Sequence, residues 1–213
     1  NKYPEIKSIN CHLNSLGTDK VQSISFNEPN NTVLGRIVKN SDLEDYLDEQ
    51  INKINNLNII NERQLSTVNN TNVGVKLKLD NGKDIESELF ILSSSKKSIV
   101  SQINIDFLEK DLEQEALSIN IKGDIKNKNH AFQKFTKDGP LALLPYSKNE
   151  ASIVWSLKSN SKILLKNNEE LTKTITEHIN DHVTSINVVN IEKHKLKFLY
   201  AKNIFHKNCV LIG

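Results

Sequence analysis

The sequence predicts an α+β fold, and three features lead to that class. Apolar residues alternate with polar ones along several short runs. Two longer stretches show helical spacing instead. Runs and stretches do not take turns as strict strand–helix–strand units, so mixed layers are expected rather than a doubly wound parallel sheet.

The elements follow in order. "EIKSINCHL" and "KVQSISFN" read as extended segments, the second placing Ile24 and Phe26 on one face and Ser23 and Ser25 on the other. "NEPNN" is a turn cluster. "NSDLEDYLDEQINKI" reads as a helix capped by Asn40 or Ser41, with acids in its first turn and an apolar stripe of Leu43, Tyr46, Leu47, Ile51 and Ile54. "VGVKLKLDNGKDIESELFIL" reads as a hairpin: Val73, Val75, Leu77 and Leu79 alternate, and Asp80, Asn81 and Gly82 supply the turn. The continuous apolar "LFIL" fits a buried strand. After "SSSKKS" a short helix is expected near Phe107 to Leu112, and "ALSINIKG" alternates at Leu117, Ile119 and Ile121. Ala131 to Leu157 gives strand, Gly-Pro turn, strand, turn, strand. "NNEELTKTITEHINDHVTSI" reads as a second amphipathic helix carrying Leu171, Ile175, Ile179, Val183 and Ile186, and "KLKFLY" and "CVLI" as final strands.

Composition narrows the function classes. The net charge is +2, with both signs interspersed, and arginine occurs only at Arg36 and Arg63. A nucleic-acid binder would present a basic footprint, so no nucleic-acid partner is expected. No apolar run approaches the ~18 residues of a membrane span, which leaves at most a peripheral membrane contact. Cys11 and Cys209 read as a reduced pair, and a cytoplasmic location is expected. Mean hydropathy of −0.45 is lean for a self-sufficient core. The chain contains no Met, starts at Asn1 and ends on the strand-like "NCVLIG", which reads as a piece of something longer.

Local motifs offer little chemistry on their own. His178 and His182 sit four apart, but Ile179 stands where a zinc peptidase carries Glu, so no metal site is expected. Ser93/Lys96 and Ser94/Lys97 have Ser-x-x-Lys spacing without the companion motifs of penicillin-binding enzymes. The seven glycines form neither a G-x-G-x-x-G nor a P-loop. Phe135 and Trp155 read as core, and Gly139-Pro140 as a turn. The residues by themselves describe an α+β domain without a self-contained active site.

One stretch adds a resemblance. Ala131, Gln133 and Phe135, then "DGPLALLP", then "ASIVWSL" are similar to the substrate-domain signature of the FAD-dependent aromatic hydroxylases of ubiquinone biosynthesis. Leu34, Gly35, Val38, Asn40 and Leu43 resemble that family's segment leading into a helix beside the flavin, and "CVLIG" resembles the strand of its third fingerprint. The resemblance covers the middle portion of a family member. It implies a β-sheet substrate-binding layer from residues 1–35 and 103–165. It also implies a partial FAD-binding, Rossmann-like layer from 36–102 and 166–213. It places Gly139, Pro140, Leu143, Pro145 and Trp155 in one wall of the substrate pocket, and Asn40 and Gly213 at the cofactor. FAD and NAD(P)H are the implied cofactors and an aromatic polyprenyl compound the implied substrate. Other quinone-biosynthesis enzymes are implied partners, and exposed apolar surface points to self-association. No side chain is assigned a catalytic role. The family's second fingerprint departs: "LSSSKKSIVS" keeps Ser98 and Val100 but lacks its Asp, its glycines and its Arg. Two readings stay open, a flavin monooxygenase portion and a non-catalytic relative serving as partner or scaffold.

Overall fold

The computed structural model describes residues 2–14, 21–27, 32–61, 63–94 and 96–212. The turn read at Glu28–Asn31, Ser95 of the Ser-x-x-Lys run and Gly213 lie outside the described residues. In chain order the elements are β1 (Ser8–Asn14), β2 (Val21–Asn27), α1 (Asn40–Ile51), β3 (Leu65–Asn70), β4 (Val75–Leu79), β5 (Asp84–Ser87) and β6 (Phe90–Leu92). There follow α2 (Lys97–Val100), β7 (Phe107–Ile125), β8 (His130–Thr136), β9 (Gly139–Pro145), β10 (Glu150–Lys158), α3 (Asn168–Ile179), β11 (Val183–Ala201), β12 (Phe205–His206) and β13 (Cys209–Leu211). The α+β class is borne out.

The chain divides into two compact units, residues 1–53 with 112–196, and residues 54–111 with 197–213. Thus α1 and α3, expected with the cofactor layer, fall in the first unit. The reason for α3 is a shared core. Leu171, Ile175 and Ile179 are buried together with Leu117, Ile119, Leu143, Ile153 and Trp155 of the sheet.

The first unit is built on a seven-stranded sheet in the order β11-β7-β10-β9-β8-β1-β2. Its neighbours pair antiparallel where their registers are defined, except β1 with β8, which are parallel. Register sorts the faces. Ala151, Ile153 and Trp155 of β10 stand opposite Ile121, Ile119 and Leu117 of β7, and Ile153 and Trp155 also oppose Leu143 and Leu141 of β9. All these residues are buried. A slip of one residue would turn the whole apolar set to the other face, so burial fixes the register. Gly139 opens β9 at φ +139°, where a Cβ would lie 1.9 Å from the Ser156 carbonyl oxygen. Only glycine fits there, and the turn itself falls on Lys137 and Asp138.

α3 begins with a capping box. The Glu170 N–H donates to Asn167 Oδ1 at 2.9 Å, and the Asn167 N–H donates to Glu170 Oε2 at 3.2 Å. The helix ends at Ile179, so Val183 and Ile186 belong to β11 and not to the helix the sequence suggests. Asn180 and Asp181 favour a turn, and the following β-branched run favours a strand. Val183 still enters the same core as Ile179.

α1 starts one residue after its cap, Lys39, with no side-chain cap bond, so neither Asn40 nor Ser41 caps it. None of its residues is buried, and Leu43, Tyr46 and Leu47 are exposed. The lead-in to α1 is held from the N-terminal side. Ile6 bridges to Gly35, and Arg36 donates to the Tyr3 carbonyl and to Glu5 Oε1, each at 2.6 Å. Lys2 and the Tyr3 hydroxyl both bond the Asp42 carboxylate, and these donors hold it below the usual carboxylate range.

In the second unit β3-β4-β5 form one antiparallel sheet, and β12-β13-β6 another in which β13 and β6 run parallel. The β4–β5 turn uses Gly82 at φ +82°, as the Asp-Asn-Gly run predicts. Phe107–Leu112 is strand, not the expected helix. Its charges are spaced for a ladder: Glu109 Oε1 accepts from Lys197 Nζ of β11 at 2.8 Å. The core here gathers Val68, Val75, Leu92, Ile99, Val100, Ile103, Ile105, Cys209 and Leu211.

Candidate functional site

The alternation that buries one face of the large sheet presents the other. Ser118 and Asn120 on β7, Leu144 on β9 and Ser152 on β10 are the interleaved residues. Ser152 pairs with both Asn120 and Leu144, so they stand side by side on the face away from the α3 core. With Ile37, Val38, Lys39, Asn40 and Ser41 before and at the start of α1, and with Tyr146, Glu150, Val189 and Glu192, they line a cleft of about 540 Å³. That volume lies within the range of small-molecule sites.

An ion pair sits in this cleft. Lys39 Nζ donates to Glu150 Oε2 at 3.1 Å and lies 4.8 Å from the centroid of the Tyr146 ring. The Glu150 bond raises the Lys39 pKa against the opposing effect of burial. Burial raises that of the Tyr146 phenol. At neutral pH the cleft therefore presents a fixed ammonium, a protonated phenol, and the hydroxyl and amide groups of Ser118, Asn120 and Ser152. Such a set can orient a ring bearing hydroxyl or carbonyl groups. None of these groups is placed as a nucleophile with an adjacent base.

The structure distributes the expected wall residues over both faces. Leu143 and Trp155 lie in the core shared with α3. Pro145 is buried and stands opposite Ala151, on that same side. Gly139 has their parity along β9, and Pro140, half-buried at the strand start, has the cleft-side parity. Asn40, expected at the cofactor and not in the wall, lines this cleft. Sequence reading passed over Ser118, Asn120 and Ser152. The signal for them was the polar half of the alternations already noted in "ALSINIKG" and "ASIVWSL".

The other motifs separate. His178 packs edge-on to Trp155 at 5.2 Å, and His182 packs on Phe132 at 3.9 Å, so they do not converge. Among the described residues no cluster of His, Cys, Asp or Glu could hold a metal. The Ser-x-x-Lys lysines turn away from their serines. Lys97 Nζ lies 2.5 Å from Glu109 Oε2, and Lys96 Nζ donates to Gln64 at 3.3 Å. Lys97, Phe107, Glu109, Lys197 and Leu199 help to line a separate cavity of about 500 Å³ in the second unit. Its two lysines hold the Glu109 carboxyl down at about 2, Lys197 contributing most.

No family model matches the chain. Over 98% of its length it superposes on aklavinone-11 hydroxylase, solved in ternary complex with FAD and aklavinone, at TM-score 0.69 and 12% identity, covering 44% of that protein. The match to p-nitrophenol 4-monooxygenase PnpA of Pseudomonas putida has TM-score 0.66 at 9% identity, over 84% of this chain and 47% of that one. The fold is that of the FAD-dependent hydroxylases. A myxobacterial FAD-dependent halogenase, CndH, shares it over the whole chain at TM-score 0.72 and 11% identity, covering 53% of that protein. In sequence, this hydroxylase-fold chain is 24% identical over 149 residues to the ubiquinone biosynthesis monooxygenase COQ6, mitochondrial, of Dictyostelium discoideum. It is 32% identical over 100 residues to that of Danio rerio. These segments cover 60% and 45% of this chain. They span only 30% and 20% of the relatives' own length. The resemblance to the hydroxylases of ubiquinone biosynthesis is therefore borne out for part of such a protein. No described helix is long and apolar enough to cross a membrane.

The described residues do not by themselves fit FAD. Its phosphates call for close backbone N–H groups, supplied by a glycine turn at a helix start. The segment after β6 instead runs through Ser93, Ser94 and Lys96 into a four-residue helix. Gly74 and Gly139 have backbone where a Cβ would go, Gly123 has the backbone and side chain of Val183–Ser185 there, and Gly82 serves a hairpin turn. Gly35 has open space around it and accepts from the Ile6 N–H through its carbonyl, but it lies in the strand-like lead-in and not at the start of α1.

Proposed function

We propose that this chain forms the substrate-facing sheet of a flavin-dependent monooxygenase that hydroxylates a phenolic ring, a polyprenylated one in ubiquinone biosynthesis. The flavin would be held chiefly by protein outside these 213 residues, and NAD(P)H would be the reductant. The observation that carries the reading is the cleft beside α1, polar and of ring-accommodating size, in a hydroxylase fold. In it the sheet excludes water from one side of the ring. Ser118, Asn120, Ser152 and Tyr146 supply the hydrogen bonds that fix its orientation, and the Lys39–Glu150 pair keeps a charge at the rim. The similarity to COQ6 proteins motivates the substrate class. The test is flavin absorbance and phenol-dependent NADH consumption by the complete gene product. A yellow protein whose NADH consumption rises with a prenylated phenol supports the reading. A colourless protein without affinity for FAD removes it.

A second reading, a non-catalytic relative acting as partner or scaffold in quinone biosynthesis, is favoured by the run from Ser93 to Val100. It lacks the Asp and glycines of the family fingerprint, and Lys97 is tied to Glu109 there. That reading expects the complete gene product to bind no FAD and to co-purify with other enzymes of the route.

A further inference from the structure

The two edges of the seven-stranded sheet are treated differently. At one edge, β11 carries Glu192, Lys193, His194 and Lys195 in succession within the first unit. Charges on an edge strand oppose pairing with another chain. At the other edge, β2 reads Val-Gln-Ser-Ile-Ser-Phe-Asn, with no charge and no proline. It pairs with β1 over seven residues without a register shift, so no bulge turns the edge aside. Every residue from Gln22 to Asn27 is exposed, with Ile24 at 51% and Phe26 at 53%. Among the described residues no strand pairs with the outer side of β2. Its outward backbone N–H and C=O groups form a template for one more strand.

We propose that this edge pairs antiparallel with the same edge of a second copy, joining two sheets across a two-fold axis. A two-fold contact requires a strand complementary to itself. β2 meets that requirement about Ile24. In that register Ile24 faces Ile24, Ser23 faces Ser25, and Gln22 faces Phe26, so no like charges meet and the apolar side chains gather on one face. The inference is independent of the proposed chemistry, since no residue of β2 lines the cleft.

A single ladder of this length lies below the ~1,200 Å² of standard interfaces, so sedimentation velocity should be run from about 1 to about 100 µM. The expected result is a monomer–dimer equilibrium in that range, with hydrogen exchange at residues 22–26 slowing as concentration rises. Ile24→Lys brings two ammonium groups together at the axis and should weaken the dimer by about tenfold or more, since like charges directly opposite destabilise a ladder. Ser23→Lys, on the other face of the strand, should act in the same direction. Leu43→Lys on the exposed face of α1 should leave the dimer unchanged. A monomer throughout, unchanged exchange at 22–26, or a dimer lost with Leu43→Lys and kept in both β2 variants overturns the proposal.

Discussion

Ile153 and Ser152 are neighbours in β10, yet one is fully buried among the residues that pack with α3 and the other lines the cleft. Truncating each to Ala therefore tests the face assignment directly. Ile153→Ala removes three carbon groups, a transfer loss of ~2.4 kcal/mol at ~0.8 kcal/mol each. If its neighbours do not close in, roughly 70 Å³ of vacated space adds about 1.7 kcal/mol, for a total of about 4 kcal/mol. Ser152→Ala removes one hydroxyl at a partly exposed site and should stay within about 0.5 kcal/mol. Urea unfolding followed by tryptophan fluorescence is the natural assay, because Trp155 is the only tryptophan and sits in this core. With a slope of about 1–3 kcal/mol/M, the Ile153→Ala midpoint should fall by roughly 1.3–4 M, and the Ser152→Ala midpoint should hardly move. Equal losses, or a larger loss for Ser152→Ala, would refute the division of the sheet into a packed face and a cleft face.

Three further outcomes are expected. Asn167→Ala removes the capping box of α3 and should cost about 1 kcal/mol in the same unfolding assay, with Asn167→Asp retaining most of the stability. Glu109, held at about 2 by Lys197 and Lys97, has a folded-state pKa below its ordinary 4.5. Its contribution is present above pH 4.5 and is lost as pH falls toward 2, so Glu109→Gln should flatten the acid limb of a stability–pH curve in that window. Burial lowers the His182 pKa below 6.5, helped by nearby His12 and His130. The unfolded chain then binds the proton more readily, so stability should decline as pH drops below about 6.5, and His182→Gln should reduce that decline in urea midpoints measured against pH.

Much of the fold is legible in the sequence because burial imposes period. Leu117, Ile119 and Ile121 alternate because one face of β7 packs on α3, and Leu171, Ile175 and Ile179 recur every four residues because α3 answers them. Period fails where two geometries share it. Val183 stands four past Ile179 and so continues the helical series, although backbone and side-chain branching make it the first residue of β11. It fails again at Phe107–Leu112, where the strand is set by pairing with β11 far along the chain. The Glu109–Lys197 bond that records this pairing spans 88 residues. Local spacing cannot carry that information.

The candidate site was harder to read for a related reason. A strand motif such as "ASIVWSL" is two interleaved sets of residues, one for each face. Its large apolar members catch the eye, and the resemblance implied that one of them, Trp155, lies in the pocket wall. A residue without exposure must face a covered side, and here α3 covers the side of Ile153 and Trp155. The set that faces the cleft includes the polar residues Ser118, Asn120 and Ser152, all half-buried. On the proposed function, ligand preference can change at these three positions at a cost to the fold of about 0.5 kcal/mol each. The apolar half of the motif can change only at a cost of several kcal/mol, as estimated for Ile153. The recognisable apolar residues of the stretch therefore preserve the sheet, while the stretch gives Leu144, Tyr146, Glu150 and Ser152 to the cleft, beside Ser118 and Asn120 of β7.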